Sequence, residues 1–237
     1  MIVSIMQPAY LPWLGYFDRI ARSDLHIVLD QVQADLSSKT KFANRNKVRT
    51  ATGWTWLTVP LNTKGLHHEK YLHTLEIVGE SDWASRHWAT MRLNYARAPY
   101  FSEHKAFFES VYARPWRRLS ELNRVTNLYL LDALGIRRKI LYGSEMTVTG
   151  KKDELILNLC KAVEATTYIS GPFGRDYLHE SEFHDVGIEV RYHEYRHPTY
   201  PQTYSGFEPY MSVVDLLFNC GPDSLRILTN SRAPDTP

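Results

Sequence analysis

Cysteine, long apolar runs and an excess of one charge are scarce in this sequence of 237 residues. Two cysteines, Cys160 and Cys220, cannot form a disulfide framework, and no secretory signal segment follows the first methionine. Because no run of about 18 apolar residues occurs, we expect no transmembrane segment. These absences predict a cytoplasmic protein with reduced thiols, in which Cys160 lies on the apolar stripe of a helix and packs in the core.

The formal net charge is only +2, from 28 lysines and arginines against 26 aspartates and glutamates. So small an excess argues against DNA or RNA as a partner. The signatures of serine hydrolases, P-loop enzymes, Cys-x-x-Cys proteins and His-Glu-x-x-His zinc proteases are also missing. The adjacent His67 and His68 point different ways, so we predict no metal site.

The sequence does contain an alternation of short apolar strands and helices. Residues 1–6, 25–30, 167–169 and 188–192 read as buried strands, and the helix between the first two predicts a parallel β-α-β pair. We therefore predict an α/β fold with a Rossmann-like, mainly parallel sheet and a helical insertion at about residues 81–140. Residues 1–229 would form a single domain, followed by a disordered tail at 230–237.

The most informative segment is residues 7–17, which has two prolines, one glycine and four aromatic rings directly after the first predicted strand. Its prolines and glycine oppose an immediate helix, so we expect a loop, with a helix from residue 18. Because open α/β sheets bind ligands at the carboxyl ends of their strands, we expect Gln7, Tyr10, Trp13 and Tyr16 to bind substrate. The alternative is an aromatic turn that only packs the first helix onto the sheet.

Polar side chains follow the second predicted strand. Asp30 ends that strand, and Gln33 lies just beyond it. A carboxylate there is well placed to touch a ligand, although a turn-capping role for Asp30 is equally open. Further along, Asn44, Arg45 and Asn46 combine a guanidinium fork with two amides, which suits an anionic ligand. For the neighbouring lysines, a solvated basic hairpin is the better interpretation.

Two later loops have related compositions. The backbone N–H groups of the glycine-bearing loop at residues 170–177 can approach a phosphate or carboxylate. The loop near residue 200 is rich in aromatic residues and proline. Cys220 is a conceivable nucleophile, with an inert buried thiol as the alternative. The substrate-binding residues expected from the two loops are Ser170, Gly171, Gly174, Arg175, Tyr177, Tyr200 and Gln202.

An ordered set of segments carries a resemblance to a known family. These segments are residues 7–17, Asp30 with 31–33, residues 42–46, 56–60, Ser170-Gly171 with Gly174 and Tyr177, 200–202 and 212–221. Together they resemble the WbqC-like protein family over roughly residues 2–228. The resemblance implies an association with bacterial O-antigen and surface-polysaccharide genes, and with the transfer of glycine to a sugar.

The resemblance and the residues together predict an aminoacyl-type (glycyl) transferase that forms an amide on an amino sugar or sugar nucleotide. An attacking amine needs a base or anchor, for which we select Asp30, and the oxyanion needs donors such as Asn44, Arg45 and Asn46. The aminoacyl donor is left open between free glycine with ATP, a charged tRNA and a carrier-protein thioester, and no cofactor is assigned. The alternatives are a non-catalytic sugar-nucleotide-binding accessory module and a structural partner without a small ligand.

These assignments share one geometric expectation. The loops at residues 7–17, 30–33, 44–46 and 170–177 each follow or border a predicted strand. We therefore expect all four to meet in one cleft at the carboxyl ends of the strands.

Overall fold

The computed structural model describes residues 1–34, 42–62, 70–79 and 81–229. The predicted tail and the pair His67 and His68 lie outside the described residues. Among the described helices, none has the length and apolar character needed to cross a lipid bilayer. In chain order the elements are β1 (Ile2–Met6), α1 (Leu14–Ala21), β2 (Leu25–Val28), β3 (Arg45–Thr50), β4 (Gly53–Thr58), α2 (Trp83–Tyr95), α3 (Phe101–Ala113), α4 (Leu119–Ala133), β5 (Lys139–Tyr142), α5 (Lys152–Ala162), β6 (Thr167–Ser170), α6 (Glu180–Asp185), β7 (Glu189–Tyr192), α7 (Val213–Cys220) and α8 (Ser224–Thr229).

One parallel sheet organises the fold, with strand order β5-β2-β1-β6-β7. The central strand β1 pairs with β2 from Val3↔Leu25 to Met6↔Val28, and with β6 on its other side. Apolar strands buried on both faces are typical of parallel sheets. The predicted α/β fold with a Rossmann-like, mainly parallel sheet is therefore confirmed. The chain order reverses between β1 and β6, which makes that junction the topological switch point.

The connection between β2 and its neighbour β5 contains the predicted helical insertion. It holds α2, α3 and α4, preceded by the separate antiparallel hairpin of β3 and β4. Phe108 of α3 and Leu122 of α4 are fully buried in the same core cluster as Phe218 of α7. The insertion is thus packed against the rest of the chain through apolar contacts.

Helices cover both faces of the sheet. On one side α1 buries Leu14, Phe17 and Ile20, which recur at the spacing of one helix face. On the other side Leu155 and Leu159 of α5 pack against β1 and β6. Each fully buried side chain of this size contributes roughly 1.5–3 kcal/mol relative to exposure. This three-layer arrangement leaves the carboxyl edge of the sheet open to ligands.

The boundary of the first loop was predicted wrongly. Helix α1 begins at Leu14 rather than at residue 18, and its N-cap is Trp13. Pro12 precedes the helix and does not interrupt it, while Gly15 is tolerated in the first turn. Consequently Tyr16 projects from a helix, and only residues 7–13 form the connection after β1.

Candidate functional site

A cleft of about 560 Å³ lies at the switch point, at the carboxyl ends of β1 and β6. Its walls come from Gln7 to Ala9 after β1, from the first turns of α1, and from the 3₁₀ turn Pro172–Asp176 after β6. His193 closes it from the end of β7. Clefts of roughly 300–1,000 Å³ are the size that small ligands occupy in proteins.

Arg19 of α1 supplies a guanidinium to this cleft. Its terminal nitrogens lie against Gly171, where an added Cβ would stand 2.9 Å from Nη2. Its Nε donates a long hydrogen bond of 3.5 Å to His193 Nδ1, and no described residue accepts one from the terminal nitrogens. Burial lowers the pKa of Arg19. A partly desolvated guanidinium with available donors is suited to bind a carboxylate or phosphate.

Asp18 and His193 hold Arg19 in this position. The fully buried Asp18 accepts hydrogen bonds at Oδ2 from His193 Nε2, at 2.6 Å, and from Arg22 Nε, at 2.7 Å. Because Nε2 donates to Asp18, Nδ1 is left as the acceptor that faces Arg19. Both ring nitrogens of His193 are therefore engaged, and its role in this structure is to orient the guanidinium.

Aromatic rings line the rest of the cleft. Trp13 packs on Phe42, with ring centroids 4.9 Å apart, and on the edge of Tyr16 at 5.9 Å. A Cβ on Gly15 would stand 2.8 Å from the ring of Tyr195, so glycine lets that ring approach α1 closely. Flat rings beside a cation suit a ligand that has both a planar or sugar face and an anionic group.

The structure brings together several of the residues singled out in the sequence. Gly174 is required within the 3₁₀ turn, since a Cβ at this position would clash with Ser170 Oγ. Ser170 is fully buried below the turn. Arg175 instead forms an ion pair of 3.1 Å with Glu194, outside the cleft. The sequence-predicted residues that line the cleft are Gln7, Trp13, Tyr16, Gly171, Gly174 and Tyr177.

Tyr10 lies in the core rather than in the cleft. It is fully buried, and its hydroxyl makes hydrogen bonds of 2.5 Å to the Tyr112 hydroxyl and 3.0 Å to His87 Nδ1. These contacts join the segment after β1 to helices α2 and α3. As packed here, Tyr10 offers no face to a ligand.

Asp30 lies on the other side of β1 from the cleft. Its Oδ1 accepts a hydrogen bond from the Ser144 backbone N–H and its Oδ2 one from the Ser144 hydroxyl, both 2.7 Å long. It lines a separate cavity of about 200 Å³ together with Arg124 and Tyr142. Gln33 is exposed and forms a bridge with Tyr71. The loop at residues 30–33 therefore does not join the loops that form the cleft.

The segment at residues 44–46 enters the hairpin. Asn44 Nδ2 donates to the Val59 carbonyl at 2.8 Å. Asn46 Nδ2 donates to the Leu11 carbonyl at 2.7 Å, which fixes the strained backbone of Leu11, whose φ is +43°. The Arg45 guanidinium stacks 4.4 Å from the Trp56 ring centroid. The two amides thus fix the backbone on either side of the hairpin, Arg45 lies on the hairpin, and none of the three residues lines the cleft.

Tyr200 and Gln202 belong to a buried network around Asp215. The Tyr200 hydroxyl and Gln202 Nε2 donate to Asp215 Oδ2 at 2.9 and 2.8 Å, and the Tyr95 hydroxyl donates to Oδ1 at 2.9 Å. Asp215 itself is fully buried. Both residues are therefore engaged in joining α7 to the loop near residue 200.

Sequence reasoning missed three residues of the site. Asp18 and Arg19 lie in a helical pattern, whose polar positions give no sign of which side chain turns towards the sheet. A signal was available for His193, because it directly follows β7 and so stands at the carboxyl end of a strand. The contact between Arg19 and His193 joins positions 174 residues apart, which no local pattern reveals.

The two cysteines are buried away from the cleft. Burial raises the pKa of Cys160 to about 12 and that of Cys220 to about 11. Thiols in that state are poor nucleophiles at neutral pH. Within the described ranges, no cluster of three or more histidine, cysteine, aspartate or glutamate side chains is arranged to hold a metal ion.

The Asp30→Asn variant should lower the free energy of unfolding by about 2 kcal/mol, because two charge-assisted hydrogen bonds with Ser144 become weaker bonds between neutral groups. Urea unfolding followed by circular dichroism measures this change, and Ser144→Ala should cause a loss of similar size. An unchanged unfolding free energy for Asp30→Asn would remove the structural role and favour a role in catalysis.

The strand order and the position of the cleft define a Rossmann-like α/β protein. The chain belongs to the WbqC-like protein family, whose model matches residues 7–227. It is 38% identical over 229 residues to the "Uncharacterized protein Rv1507c" of Mycobacterium tuberculosis (strain ATCC 25618 / H37Rv), an alignment that covers 94% of this chain and 97% of that protein. No solved structure matches the chain.

Proposed function

We propose that this protein is an aminoacyl-type transferase, with glycine as the first candidate acyl group, that forms an amide on a nucleotide-linked amino sugar. One observation supports the substrate class above all others: the half-buried Arg19 guanidinium presents its terminal nitrogens to the cleft without an acceptor among the described residues. Membership of the WbqC-like family suggests bacterial O-antigen or related surface-polysaccharide biosynthesis as the context.

The proposed ligand matches the lining of the cleft. A diphosphate group would accept hydrogen bonds from Arg19, which His193 and Asp18 hold in place. The rings of Trp13 and Tyr177 would flank the base or the sugar. In this arrangement Arg19 at the switch point contacts the anion, in place of Arg45, which the sequence had suggested and which stacks on the hairpin.

The transfer itself needs an amine, an acyl donor and a proton acceptor. The amine nitrogen forms a bond to the acyl carbon, the bond to the leaving group breaks, and a base removes the proton from the nitrogen. Asp30 stays the proposed base or amine anchor. The buried Tyr16 ring lies between the cleft and a space of about 20 Å³ beside Asp30, so this ring would have to move for an amine in the cleft to reach Asp30.

A second candidate function is that of a non-catalytic sugar-nucleotide-binding accessory module. It is favoured because the two candidate proton acceptors, Asp30 and His193, already make hydrogen bonds within the protein. Both oxygens of Asp30 accept from Ser144, and both ring nitrogens of His193 are engaged. Under this alternative the cleft holds the nucleotide sugar for a partner enzyme.

Titration calorimetry with a panel of uridine diphosphate amino sugars tests the binding site. We expect Arg19→Gln to weaken the binding of the best ligand at least about tenfold, since a charge-assisted hydrogen bond contributes roughly 1.5–3 kcal/mol. Arg45→Gln is the matched control and should change the affinity less than about twofold. A larger loss in the Arg45 variant would move the anion site to the hairpin and contradict this proposal.

Turnover separates the two candidate functions. Purified protein is incubated with isotopically labelled glycine, supplied free with ATP, as glycyl-tRNA or as a carrier-protein thioester, and with the sugar nucleotide that binds. Mass spectrometry of the sugar product detects the amide. Amide formation that is lost in Arg19→Gln would support the transferase, whereas tight binding without product from any donor would favour the accessory module.

A further inference from the structure

A second cavity lies at the opposite edge of the sheet from the cleft. It has a volume of about 380 Å³ and is formed by the end of α1, by the loop at residues 135–138 and by one face of α8. Helix α1 ends just before β2 begins, and the loop at 135–138 leads into β5. The cavity is therefore at the amino ends of these strands. We call it the arginine pocket, after Arg22, Arg137 and Arg138 in its lining.

Two of the three guanidiniums of the arginine pocket, those of Arg137 and Arg138, have no carboxylate partner among the described residues, whereas Arg22 forms an ion pair. Arg22 directs its Nε to Asp18, at 2.7 Å, and its side chain keeps 29% of its surface exposed. Arg138 donates through Nη2 to the Ala21 carbonyl at 3.0 Å, which is a neutral acceptor. Arg137 is exposed and makes no hydrogen bond or ion pair with the described residues. Among the described residues that line the pocket, none is acidic.

The charge of Arg22 is offset by Asp18, whereas Arg137 and Arg138 leave a positive charge at the cavity that an anion with several oxygens would neutralise. Guanidinium forks match phosphate oxygens in bidentate geometry, whereas a single carboxylate can pair with only one such fork in that way. We propose that the arginine pocket binds a diphosphate or polyphosphate group. Its volume leaves room for an organic remainder beyond the phosphates. This site is separate from the cleft, and the proposal does not depend on the proposed transferase activity.

The test measures phosphate binding with the cleft disabled. Inorganic pyrophosphate and adenosine diphosphate are titrated calorimetrically, at constant ionic strength, into the full chain with Arg19→Gln. We expect binding to persist and to weaken roughly tenfold when Arg137→Gln is added, because one bidentate contact is lost. Adding Arg97→Gln instead is the control, since Arg97 is exposed at the end of α2 and lines neither site.

Arg137→Gln and Arg97→Gln are also made singly, in the chain that keeps Arg19, so that a folding defect of Arg19→Gln does not decide the result. In these chains we expect Arg137→Gln, but not Arg97→Gln, to weaken part of the measured phosphate binding. Binding of both probes would show that the phosphates suffice, and binding of adenosine diphosphate alone would identify an organic phosphate; both support the proposal. Failure of both probes to bind, or equal affinities with and without Arg137, would overturn it.

Discussion

Replacement of Asp215 by alanine will lower the free energy of unfolding by about 3–5 kcal/mol, because it leaves buried hydrogen-bond donors without an acceptor and opens a cavity. The carboxylate accepts hydrogen bonds from Tyr95, Tyr200 and Gln202, and it is fully buried. In the variant the buried hydroxyls of Tyr95 and Tyr200 would lose their acceptor, whereas Gln202 Nε2 keeps the Glu208 carbonyl. Each unpaired hydroxyl raises the free energy of the folded state. Urea unfolding followed by circular dichroism measures the loss.

Two controls separate this network from a general effect of removing an aspartate. Asp185→Ala, at the exposed end of α6, should change the unfolding free energy by less than about 0.5 kcal/mol. Asp215→Asn keeps one acceptor oxygen and should lose less than the alanine variant. Equal stabilities for Asp215→Ala and Asp185→Ala would mean that the network contributes nothing to folding.

Acidification from pH 7 to pH 4.5 will destabilise the fold by about 5 kcal/mol through two buried histidines. Burial, assisted by the charge of Arg19, lowers the pKa of His26 from 6.5 to about 3. Burial likewise lowers the pKa of His87 from 6.5 to about 4, with a smaller contribution from Arg86. The unfolded chain therefore takes up protons first as the pH falls below about 6.5, so stability is lost in this window, by about 2.5 kcal/mol for each histidine.

Urea unfolding of the native chain and of His26→Gln at both pH values checks this expectation. The variant lacks one of the two groups, so its loss on acidification should be about half that of the native chain. The comparison uses the difference between the two pH values, which removes any constant effect of the substitution on packing. The same loss in both proteins would show that His26 is not the group that responds.

Local patterns predicted most of the elements, and the reasons are visible in particular cases. Strand β6 spans Thr167–Ser170, one residue longer than predicted, because a short apolar run is typical of a strand buried in a parallel sheet. Strand β1 was evident from its short apolar run. The start of α1 was predicted too late because Pro12 and Gly15 were interpreted as helix breakers, although a proline is well tolerated just ahead of a helix.

Only the part of the site that is formed by loops at the ends of strands could be predicted from the sequence. The loops after β1 and β6 meet in the cleft because the carboxyl ends of neighbouring parallel strands meet at one edge. The direction of a side chain was not predictable in the same way. Tyr10 turns into the core towards Tyr112, and Asp30 turns towards Ser144, while Arg19 turns into the cleft. These choices depend on partners more than 100 residues away in the sequence, or on another layer of the fold.

The strand order also affects how the chain folds while the ribosome synthesises it. The edge of β2 that pairs with β5 must wait for roughly 110 further residues, from Val28 to Lys139, and the free edge of β1 waits still longer for β6. At ordinary translation rates this delay is about 5–20 s. During that time two apolar strands expose unpaired backbone, which invites association with other chains. A growing chain of this design therefore exposes association-prone strand edges until the second half has emerged.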